Sequence, residues 1–461
     1  MAMTLQDYLA SLRGKRVAVI GIGVSNTPLI KTLLQAGISV TACDKAPKSS
    51  FGELAEELET LGAQLRLGPD YLEGLDQDVI FRSPGIRPDI PPFLAAIEKG
   101  SVLTSEMEVF FQVCPCKIIA VTGSDGKTTT TTLISEMLKN AGYTVHLGGN
   151  IGKPLLSEAG EMGQDDVAVL ELSSFQLMTL SASPHIAVFT NLSPNHLDIH
   201  KSMEEYALAK ENIFRYQGPE DIAIFNRDND LTKEMASRAP GRVKLFSRQH
   251  TLTDGVYVED GTIVVAENGE KRPLFSTDRI LIPGQHNVEN YLAAIAAVQG
   301  MVSDEVILHT AETFPGVEHR IELVRTLNGV KYYNDSIASS PTRTIAGLRS
   351  FHQKVILIAG GYDKKIPFEV LGTEVVERVK TLVLTGHTAE KIYQAVVNAP
   401  GYQEGHPEIL MEEDFTKAVL AASSAAQEGD IVILSPACAS FDHFKNFAQR
   451  GQTFKAIVNG L

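Results

Sequence analysis

The segment Thr122-Gly-Ser-Asp-Gly-Lys-Thr128 has the residue types and spacing of a loop that binds phosphate. It lies between a predicted strand and a predicted helix, so backbone N–H groups and a helix N-terminus would point at the anion. Lys127 would neutralise phosphate charge, and Thr128 would offer its hydroxyl to Mg²⁺. Val121 stands where the full Walker pattern has its first glycine. The alternative interpretation is a glycine turn followed by a solvated lysine.

Charged side chains that follow the next predicted strands could complete a site around that loop. Glu171 ends a predicted buried strand, where a carboxylate suits Mg²⁺ and could equally cap a helix. His196 and Asp198 follow another strand and suit a second divalent metal or a proton relay, although a hydrogen-bonded loop histidine is the usual case. Lys210 lies on the following predicted helix, where lysine normally faces solvent.

A glycine-rich turn near the N-terminus indicates a second ligand. The segment Gly21-Ile-Gly-Val-Ser-Asn26, with Asp44 further along, resembles a dinucleotide-binding fingerprint in which Asn26 replaces the third glycine. The pattern favours a nucleotide-type ligand over a purely structural turn. It does not specify NAD.

Polar segments also follow predicted strands in the last third of the chain and predict a further pocket. They are Asp335 and the segments 360–365 and 435–440. An N-cap would explain one of two asparagines at a predicted helix start but not both. That helix start contains His286, Asn287 and Asn290.

The elements that must position these residues alternate between buried strands and helices, which predicts an α/β protein. Turn-rich residues 255–273 predict small antiparallel additions, and Asn328-Gly329 predicts a hairpin. We expect three domains in series, namely residues 1–108 with a Rossmann-like fold, residues 109–313 with a P-loop ATPase-type, mostly parallel sheet, and residues 314–461, again Rossmann-like.

Composition excludes several classes of protein. The 461 residues are 44% hydrophobic with a formal net charge of −15, so nucleic acid and anionic membranes are unfavoured partners. The spacing of the four cysteines fits neither a zinc site nor a secreted disulfide framework. Without a signal peptide pattern or an apolar run of membrane-spanning length, the sequence predicts a cytoplasmic protein with reduced thiols.

Motifs spread through nearly the whole chain resemble the Mur ligase family in order and spacing. They are the segment 122–128, Gly148-Gly-Asn-Ile-Gly152, Glu171-Leu-Ser-Ser174, Asn195-His-Leu-Asp198, Gly284-Gln-His-Asn-Val-Glu-Asn290, His319-Arg320 and Asn334-Asp-Ser336. The segments 170–177 and 435–451 most resemble the members that add D-glutamate to UDP-N-acetylmuramoyl-L-alanine. The resemblance implies an ATP-dependent amide ligase of peptidoglycan precursor synthesis that works through an acyl phosphate, as a monomer that opens and closes to exclude water.

The resemblance also assigns site residues. It implies that Gly123, Ser124, Asp125, Gly126, Lys127, Thr128 and Thr129 bind ATP phosphates, with His286, Asn287, Asn290, Arg320 and Asp335 holding ATP across a domain interface. It implies two Mg²⁺ sites with Thr128, Glu171, His196 and a carbamylated Lys210 as ligands, and catalytic roles for Lys127, Glu171, His196 and Lys210. It implies that the UDP portion contacts Ser25, Asn26, Asp44, Lys45, Ser83 and Gly85, the muramoyl group contacts Asn150, and D-glutamate contacts Lys364, Ser440 and Phe447.

One segment departs from the family pattern. Many members read Asn-Asp-Ser-Lys-Ala-Thr where this chain has Ile337 and Ser339 in place of the lysine and threonine, and Arg343 or Lys365 would have to supply the missing cation. Alternative functions are a sister ligase that adds L-alanine, a diamino acid or a dipeptide, a nicotinamide-dependent oxidoreductase that uses Gly21 to Gly23, and a non-catalytic nucleotide-binding module.

Overall fold

The computed structural model describes residues 3–194 and 199–461. They form two compact units. The first contains the described residues up to Thr277 together with Glu289–Thr310, and the second contains Asp278–Val288 and Ala311–Leu461. Two helices, α10 (Gln285–Val298) and α11 (Asp304–Thr313), include residues of both units.

The first sheet of the first unit has five parallel strands, as predicted for a Rossmann-like fold. The strands are β1 (Arg16–Ile20), β2 (Ser39–Asp44), β3 (Gln64–Leu67), β4 (Val79–Phe81) and β5 (Val102–Thr104). The accompanying helices are α1 (Leu5–Ser11), α2 (Asn26–Gln35), α3 (Glu53–Thr60), α4 (Pro91–Glu98) and α5 (Glu106–Val113). The order β3-β2-β1-β4-β5 reverses between β1 and β4, which is where open parallel sheets bind ligands.

The second sheet of this unit has nine described strands. They are β6 (Lys117–Thr122), β7 (Val145–Gly149), β8 (Val167–Glu171), β9 (Ile186–Phe189), β10 (Ile222–Asn226), β11 (Arg242–Ser247), β12 (Gly255–Glu259), β13 (Thr262–Glu267) and β14 (Glu270–Ser276). Its helices are α6 (Lys127–Asn140), α7 (Ser174–Leu177), α8 (Met203–Arg215) and α9 (Asp230–Ala236). The order is β14-β13-β12-β11-β10-β9-β6-β8-β7, and β12 to β14 pair antiparallel as the turn-rich sequence predicts. The parallel strands β8 and β9 are buried along their whole length, because helices cover such sheets on both faces.

The two sheets of the first unit share one hydrophobic core, which includes Val17 and Val19 of β1 and Leu170 of β8. Glu106 at the start of α5 accepts a hydrogen bond from the Leu156 N–H at 2.8 Å, and burial raises its pKa to about 7.

The predicted boundary between residues 108 and 109 falls inside α5. The boundaries of the three domains stay a prediction.

The second unit contains a six-stranded sheet. Its strands are β15 (Glu322–Leu327), β16 (Val330–Asn334), β17 (Val355–Ala359), β18 (Val379–Leu384), β19 (Glu408–Met411) and β20 (Ile431–Leu434), in the order β15-β16-β20-β17-β18-β19. Its helices are α12 (Pro341–Leu348), α13 (Glu369–Arg378), α14 (Ala389–Val397), α15 (Phe415–Ala425) and α16 (Phe447–Asn459). Asn328 and Gly329 have φ values of 51° and 77° and join β15 to β16, so the predicted hairpin is confirmed.

The three parallel-rich sheets confirm the predicted α/β class. Among the described residues, no helix combines the length and the apolar character that crossing a bilayer requires.

Candidate active site

The loop between β6 and α6, predicted to bind phosphate, has two glycines in conformations that side chains disfavour. Gly123 and Gly126 have φ values of 147° and 78°, which disfavour any residue with a side chain. A Cβ atom on Gly123 would overlap the Thr190 hydroxyl, and one on Gly126 would overlap the Asn290 amide oxygen. The sequence therefore uses glycine where neighbouring groups press against the loop. Lys127 Nζ donates to the carbonyl oxygen of Ser124 at 2.8 Å, within the same loop.

The segment after β9 supports this loop from the neighbouring strand. Ser124 donates its backbone N–H to the Asn191 carbonyl oxygen at 2.9 Å and its hydroxyl to the Ser193 carbonyl oxygen at 2.9 Å. The Asp125 N–H donates to Asn191 Oδ1 at 2.9 Å. These bonds hold the cradle in shape beside β9, at a second point where strand order reverses.

Glu171 brings two other predicted site residues together at the end of β8. Its side chain is buried, Oε2 accepts a hydrogen bond from the Thr128 hydroxyl at 2.7 Å, and Oε1 accepts one from Asn150 Nδ2 at 2.7 Å. Gly149 allows this approach, since a Cβ atom there would overlap the Glu171 carbonyl oxygen. A carboxylate and a hydroxyl are hard oxygen ligands of the kind that Mg²⁺ prefers, so these residues fit the implied metal.

Lys210 on α8 is buried against the phosphate loop, so the usual solvated position of a helical lysine does not apply to it. The residue is 1% exposed. Nζ donates to the Gly123 carbonyl oxygen at 2.8 Å and to Thr122 Oγ1 at 3.1 Å, and it lies 4.9 Å from the centre of the Tyr206 ring. Burial and the nearby charge of Lys127 lower the pKa of Lys210 well below its usual value.

The predicted metal-site residues His196 and Asp198 lie outside the described residues. In the part that the structure describes, no three His, Cys, Asp or Glu side chains are grouped to hold a metal ion. His200 Nε2 lies 2.9 Å from Ser174 Oγ, and its ring stacks on Phe175 with centroids 5.2 Å apart.

The residues predicted to contact the UDP portion surround the reversal between β1 and β4. Asn26 donates to the carbonyl oxygens of Ile20 and Gly21 at 3.0 and 3.1 Å, and Asp44 Oδ2 accepts the Ile22 N–H at 2.8 Å. A Cβ atom on Gly21 would lie 3.1 Å from Ser83 Cβ. The two loops are therefore in contact, and Ser25, Lys45 and Gly85 are exposed beside them.

Arg82 ties the second of these loops to the region after Glu171. It is 1% exposed, and Nη1 donates to the Ile86 carbonyl oxygen at 3.2 Å. Nη2 donates to the Phe175 carbonyl oxygen at 3.0 Å and to Thr179 Oγ1 at 2.8 Å. Its role was not predicted, because an arginine at a strand end carries no local signal of burial.

One residue of the helix start around residues 285–290, Asn290, lies beside the phosphate loop within the first unit. Asn290 Oδ1 accepts a hydrogen bond from Thr130 Oγ1 at 3.3 Å, and this oxygen faces Gly126. Asn287 Nδ2 donates to the Pro283 carbonyl oxygen at 2.6 Å. His286 packs near Gly284 within the second unit.

In the second unit, Asp335 is buried at the end of β16. Its Oδ2 accepts a hydrogen bond from Ser435 Oγ at 2.7 Å. Burial raises the pKa of Asp335 to about 7, although that hydrogen bond and the charges of Arg320 and Arg343 oppose the shift. The pKa of this carboxyl group therefore lies near neutral pH.

The residues predicted for D-glutamate lie on loops around the same sheet ends. Ser440 is buried after β20, while Phe447 at the start of α16 is exposed and accepts a hydrogen bond from the Ser336 hydroxyl at 2.8 Å through its carbonyl oxygen. Lys364 Nζ lies 3.4 Å from Ser339 Oγ.

Arg343, like Lys364, lies beside the altered segment. Its Nη1 donates to the Ile337 carbonyl oxygen at 3.3 Å. Lys365 instead donates its backbone N–H to Asp363 at 2.7 Å. Of the two residues suggested to compensate for the missing lysine, Arg343 is the one that donates a hydrogen bond to the altered segment, and its compensating role stays a prediction.

Comparison with known proteins identifies the family. The sequence model described as Mur ligase middle domain matches residues 121–298, and that described as Mur ligase, glutamate ligase domain matches residues 319–438. A protein of Acetivibrio thermocellus named UDP-N-acetylmuramoylalanine--D-glutamate ligase is 54% identical over 100% of both chains. The chain belongs to the Mur ligase family. A protein of Clostridium kluyveri with the same name is 51% identical, again over 100% of both chains.

Solved structures of other Mur ligases share the fold. UDP-N-acetylmuramate-alanine ligase from Thermotoga maritima superposes with a TM-score of 0.57 and 18% identity, over 97% of this chain and 99% of that one. UDP-N-acetylmuramoyl-L-alanyl-D-glutamate--2,6-diaminopimelate ligase gives a TM-score of 0.56 and 18% identity, over 97% and 93% of the two chains. This Mur ligase therefore has the family fold.

Proposed function

We propose that this Mur ligase joins D-glutamate to UDP-N-acetylmuramoyl-L-alanine at the expense of ATP, in peptidoglycan precursor synthesis. The observation that carries the proposal is the full-length identity of 54% with a relative named for this activity. The preformed phosphate loop supports it.

The reaction has two steps. The alanyl carboxylate of the UDP precursor attacks the γ-phosphorus of ATP, and the bond to the bridging oxygen breaks to give an acyl phosphate and ADP. The amine of D-glutamate then attacks the acyl carbon to form a tetrahedral intermediate. Loss of phosphate and of a proton from nitrogen leaves the amide.

The first step brings two anions together, so its barrier depends on positive charge and hydrogen-bond donors. The backbone N–H groups of the segment 123–128 and the ammonium of Lys127 hold the phosphates. Thr128 and Glu171 would hold one Mg²⁺, and His196 and a carbamylated Lys210 a second. Bound Mg²⁺ would supply positive charge that stabilises the phosphoryl group during its transfer.

The position of Lys210 supports carbamylation. A carbamate forms when a neutral amine attacks carbon dioxide and loses a proton. The ammonium group of the lysine must therefore first be deprotonated. Lys210 is 1% exposed and has only a carbonyl and a hydroxyl oxygen as hydrogen-bond acceptors among the described residues. This environment disfavours the ammonium form and favours the neutral amine. The product is an anionic oxygen ligand within reach of the phosphate loop.

The substrates' other ends fit the remaining loops. The loops at the β1 and β4 ends, including Asp44 and Ser83, would take the UDP portion. Lys364, Ser440 and Phe447 would take D-glutamate, and Arg343 would supply a cation for its carboxylates in place of the lysine that many relatives carry.

The test is phosphate release from ATP and Mg²⁺ with UDP-N-acetylmuramoyl-L-alanine, comparing D-glutamate, L-glutamate, L-lysine and no amino acid. We expect release with D-glutamate alone. Release only with another amino acid would make the protein a sister ligase. Binding of ATP without turnover under any of these conditions would support a non-catalytic module instead.

Arg82 offers a separate prediction about the UDP precursor. In Arg82→Lys the compact ammonium cannot reach the carbonyl oxygens of Ile86 and Phe175 together, so the loop at 83–86 loses its anchor. We expect the KM for the UDP precursor to rise about tenfold, consistent with the loss of roughly one charged hydrogen bond, and the KM for D-glutamate to stay unchanged.

The control is Arg16→Lys. Arg16 starts β1 at the opposite end of the same sheet and pairs with Asp76 at the surface. Steady-state kinetics should give this variant the same KM for the UDP precursor as the wild type. An Arg82→Lys enzyme with an unchanged KM for the precursor would show that the contacts do not position the loop.

A further inference from the structure

Arg450 is a buried charge on α16 that has no assigned role. The residue is 2% exposed. Its Nε donates to Ser336 Oγ at 3.1 Å and Nη2 to the Ser336 carbonyl oxygen at 2.9 Å. Nη2 also donates to the Cys438 carbonyl oxygen at 3.0 Å, and Nη1 to that of Ala439 at 3.1 Å. One side chain thus binds the backbone of two separate segments.

Those segments follow neighbouring strands and carry predicted site residues. Ser336 follows Asp335 at the end of β16, and Ala439 precedes Ser440 in the loop after β20. The loop after β17 reaches the same point, because a Cβ atom on Gly361 would lie 3.2 Å from Arg450 Nη1. The guanidinium therefore occupies the place where three loops of the second unit meet.

The acceptors of Arg450 are all neutral. Among the residues that the structure describes, no carboxylate oxygen lies within 4.0 Å of its guanidinium nitrogens. Burial lowers the pKa of Arg450 to about 10, so the group still carries its charge at neutral pH. An unpaired buried charge is an expensive way to stabilise a fold, and an apolar side chain of similar size would often do as well. The planar fork of arginine, however, presents donors in fixed directions that no apolar group can replace.

We propose that Arg450 is a positioning residue for the amino-acid pocket, in which its guanidinium holds the segments around Ser336 and Ala439 at a fixed separation. This inference rests on the proposed function, because that function assigns Ser440 and Phe447 to D-glutamate. Arg450 is connected to these residues through two groups that it binds, the Ala439 carbonyl oxygen and the Ser336 hydroxyl. Ser440 is covalently next to Ala439, and the Ser336 hydroxyl, which Arg450 binds, donates to the Phe447 carbonyl oxygen at 2.8 Å.

The expected defect is specific to the amino acid. A displacement of about 1 Å between reacting groups can lower a rate by about two orders of magnitude. In Arg450→Lys and Arg450→Met we expect kcat/KM for D-glutamate to fall about 10-fold and about 100-fold respectively, on the same reasoning. The KM for UDP-N-acetylmuramoyl-L-alanine should change less than about 2-fold, since the residues proposed to bind it belong to the first unit.

The matched control is Arg325 of β15, which contacts the other end of α16. Its Nη1 donates to the carbonyl oxygens of Val458 at 3.0 Å and Asn459 at 3.1 Å, at the C-terminal end of α16. Arg325→Lys should therefore weaken the anchoring of α16 without moving the loops. We expect a lower melting temperature with an unchanged KM for D-glutamate.

Steady-state kinetics with both substrates, together with melting curves, decide the question. The proposal is overturned if folded Arg450→Lys keeps the wild-type kcat/KM for D-glutamate, or if the KM for the UDP precursor rises as much as the KM for D-glutamate. It is also overturned if Arg450→Lys cannot be recovered folded, because the residue is then needed for the fold itself. Failure of the proposed function is distinguishable, since it shows in the wild-type enzyme as no phosphate release that depends on D-glutamate.

Discussion

Lys127→Ala is expected to abolish ligation while leaving the fold intact. The ammonium lies in the phosphate loop, where it donates hydrogen bonds to carbonyl oxygens of its own loop. Removing a group that stabilises transition-state charge typically lowers kcat by about 10²–10³-fold, or about 3–4 kcal/mol. Phosphate release with both substrates at saturation measures the loss, and circular dichroism measures the fold.

Lys139→Ala is the matched control, because Lys139 lies near the other end of the same helix, α6. It pairs with Glu136 at 2.9 Å on the surface, an interaction worth less than about 1 kcal/mol. This variant should turn over like the wild type. If Lys127→Ala also kept a near wild-type rate, the assignment of the phosphate loop would be wrong.

Lys210→Ala is expected to lose activity to a similar extent and to recover part of it with a short-chain carboxylate. The substitution removes a buried side chain and leaves space beside Gly123 that acetate or propionate can enter. Either anion would place oxygen ligands where the carbamate stood. We expect an activity loss of about 10²-fold and a partial, concentration-dependent rescue.

The matched variants are Lys210→Arg and Arg215→Ala. The first keeps a cation but cannot form a carbamate, so it should be inactive and insensitive to added carboxylate. The second removes an exposed side chain from the end of the same helix and should be active. Carbon-13 NMR of the wild type with labelled bicarbonate should show a carbamate signal that Lys210→Arg lacks. A fully active Lys210→Arg enzyme would rule out this role.

Local patterns predicted most of the fold because the strands are continuous apolar runs bounded by turn residues. The apolar runs at 222–226 and 431–434 form β10 and β20. The helix start predicted to contain His286, Asn287 and Asn290 begins at Gln285, a difference of the size that is common at helix ends. Residue types also placed Lys127, Thr128 and Glu171 together, since loops after neighbouring parallel strands meet at one edge of a sheet.

Other features depend on contacts between distant segments, which no local pattern records. Arg82 is bonded to residues more than ninety positions away, and Arg450 to Ser336 across 114 positions. No local residue pattern around either arginine indicates that its side chain is buried. The burial of Lys210 likewise follows from the packing of α8 against β6 and was anticipated only through the family resemblance.

The two hydrogen bonds to the Glu171 carboxylate would, under the proposed function, couple the affinities of two different ligands. Thr128 and Asn150 each bind one of its oxygens at 2.7 Å, and one belongs to the phosphate loop while the other is proposed to face the muramoyl group. A metal ion that takes up this carboxylate must compete with both donors, and a sugar that engages Asn150 frees the oxygen it held. Thermodynamic linkage then requires reciprocity. If the nucleotide–metal complex changes the affinity for the precursor by some factor, the precursor changes the affinity for the nucleotide–metal complex by the same factor. Under the proposed function, Glu171 would therefore couple the binding of the nucleotide to the binding of the UDP precursor.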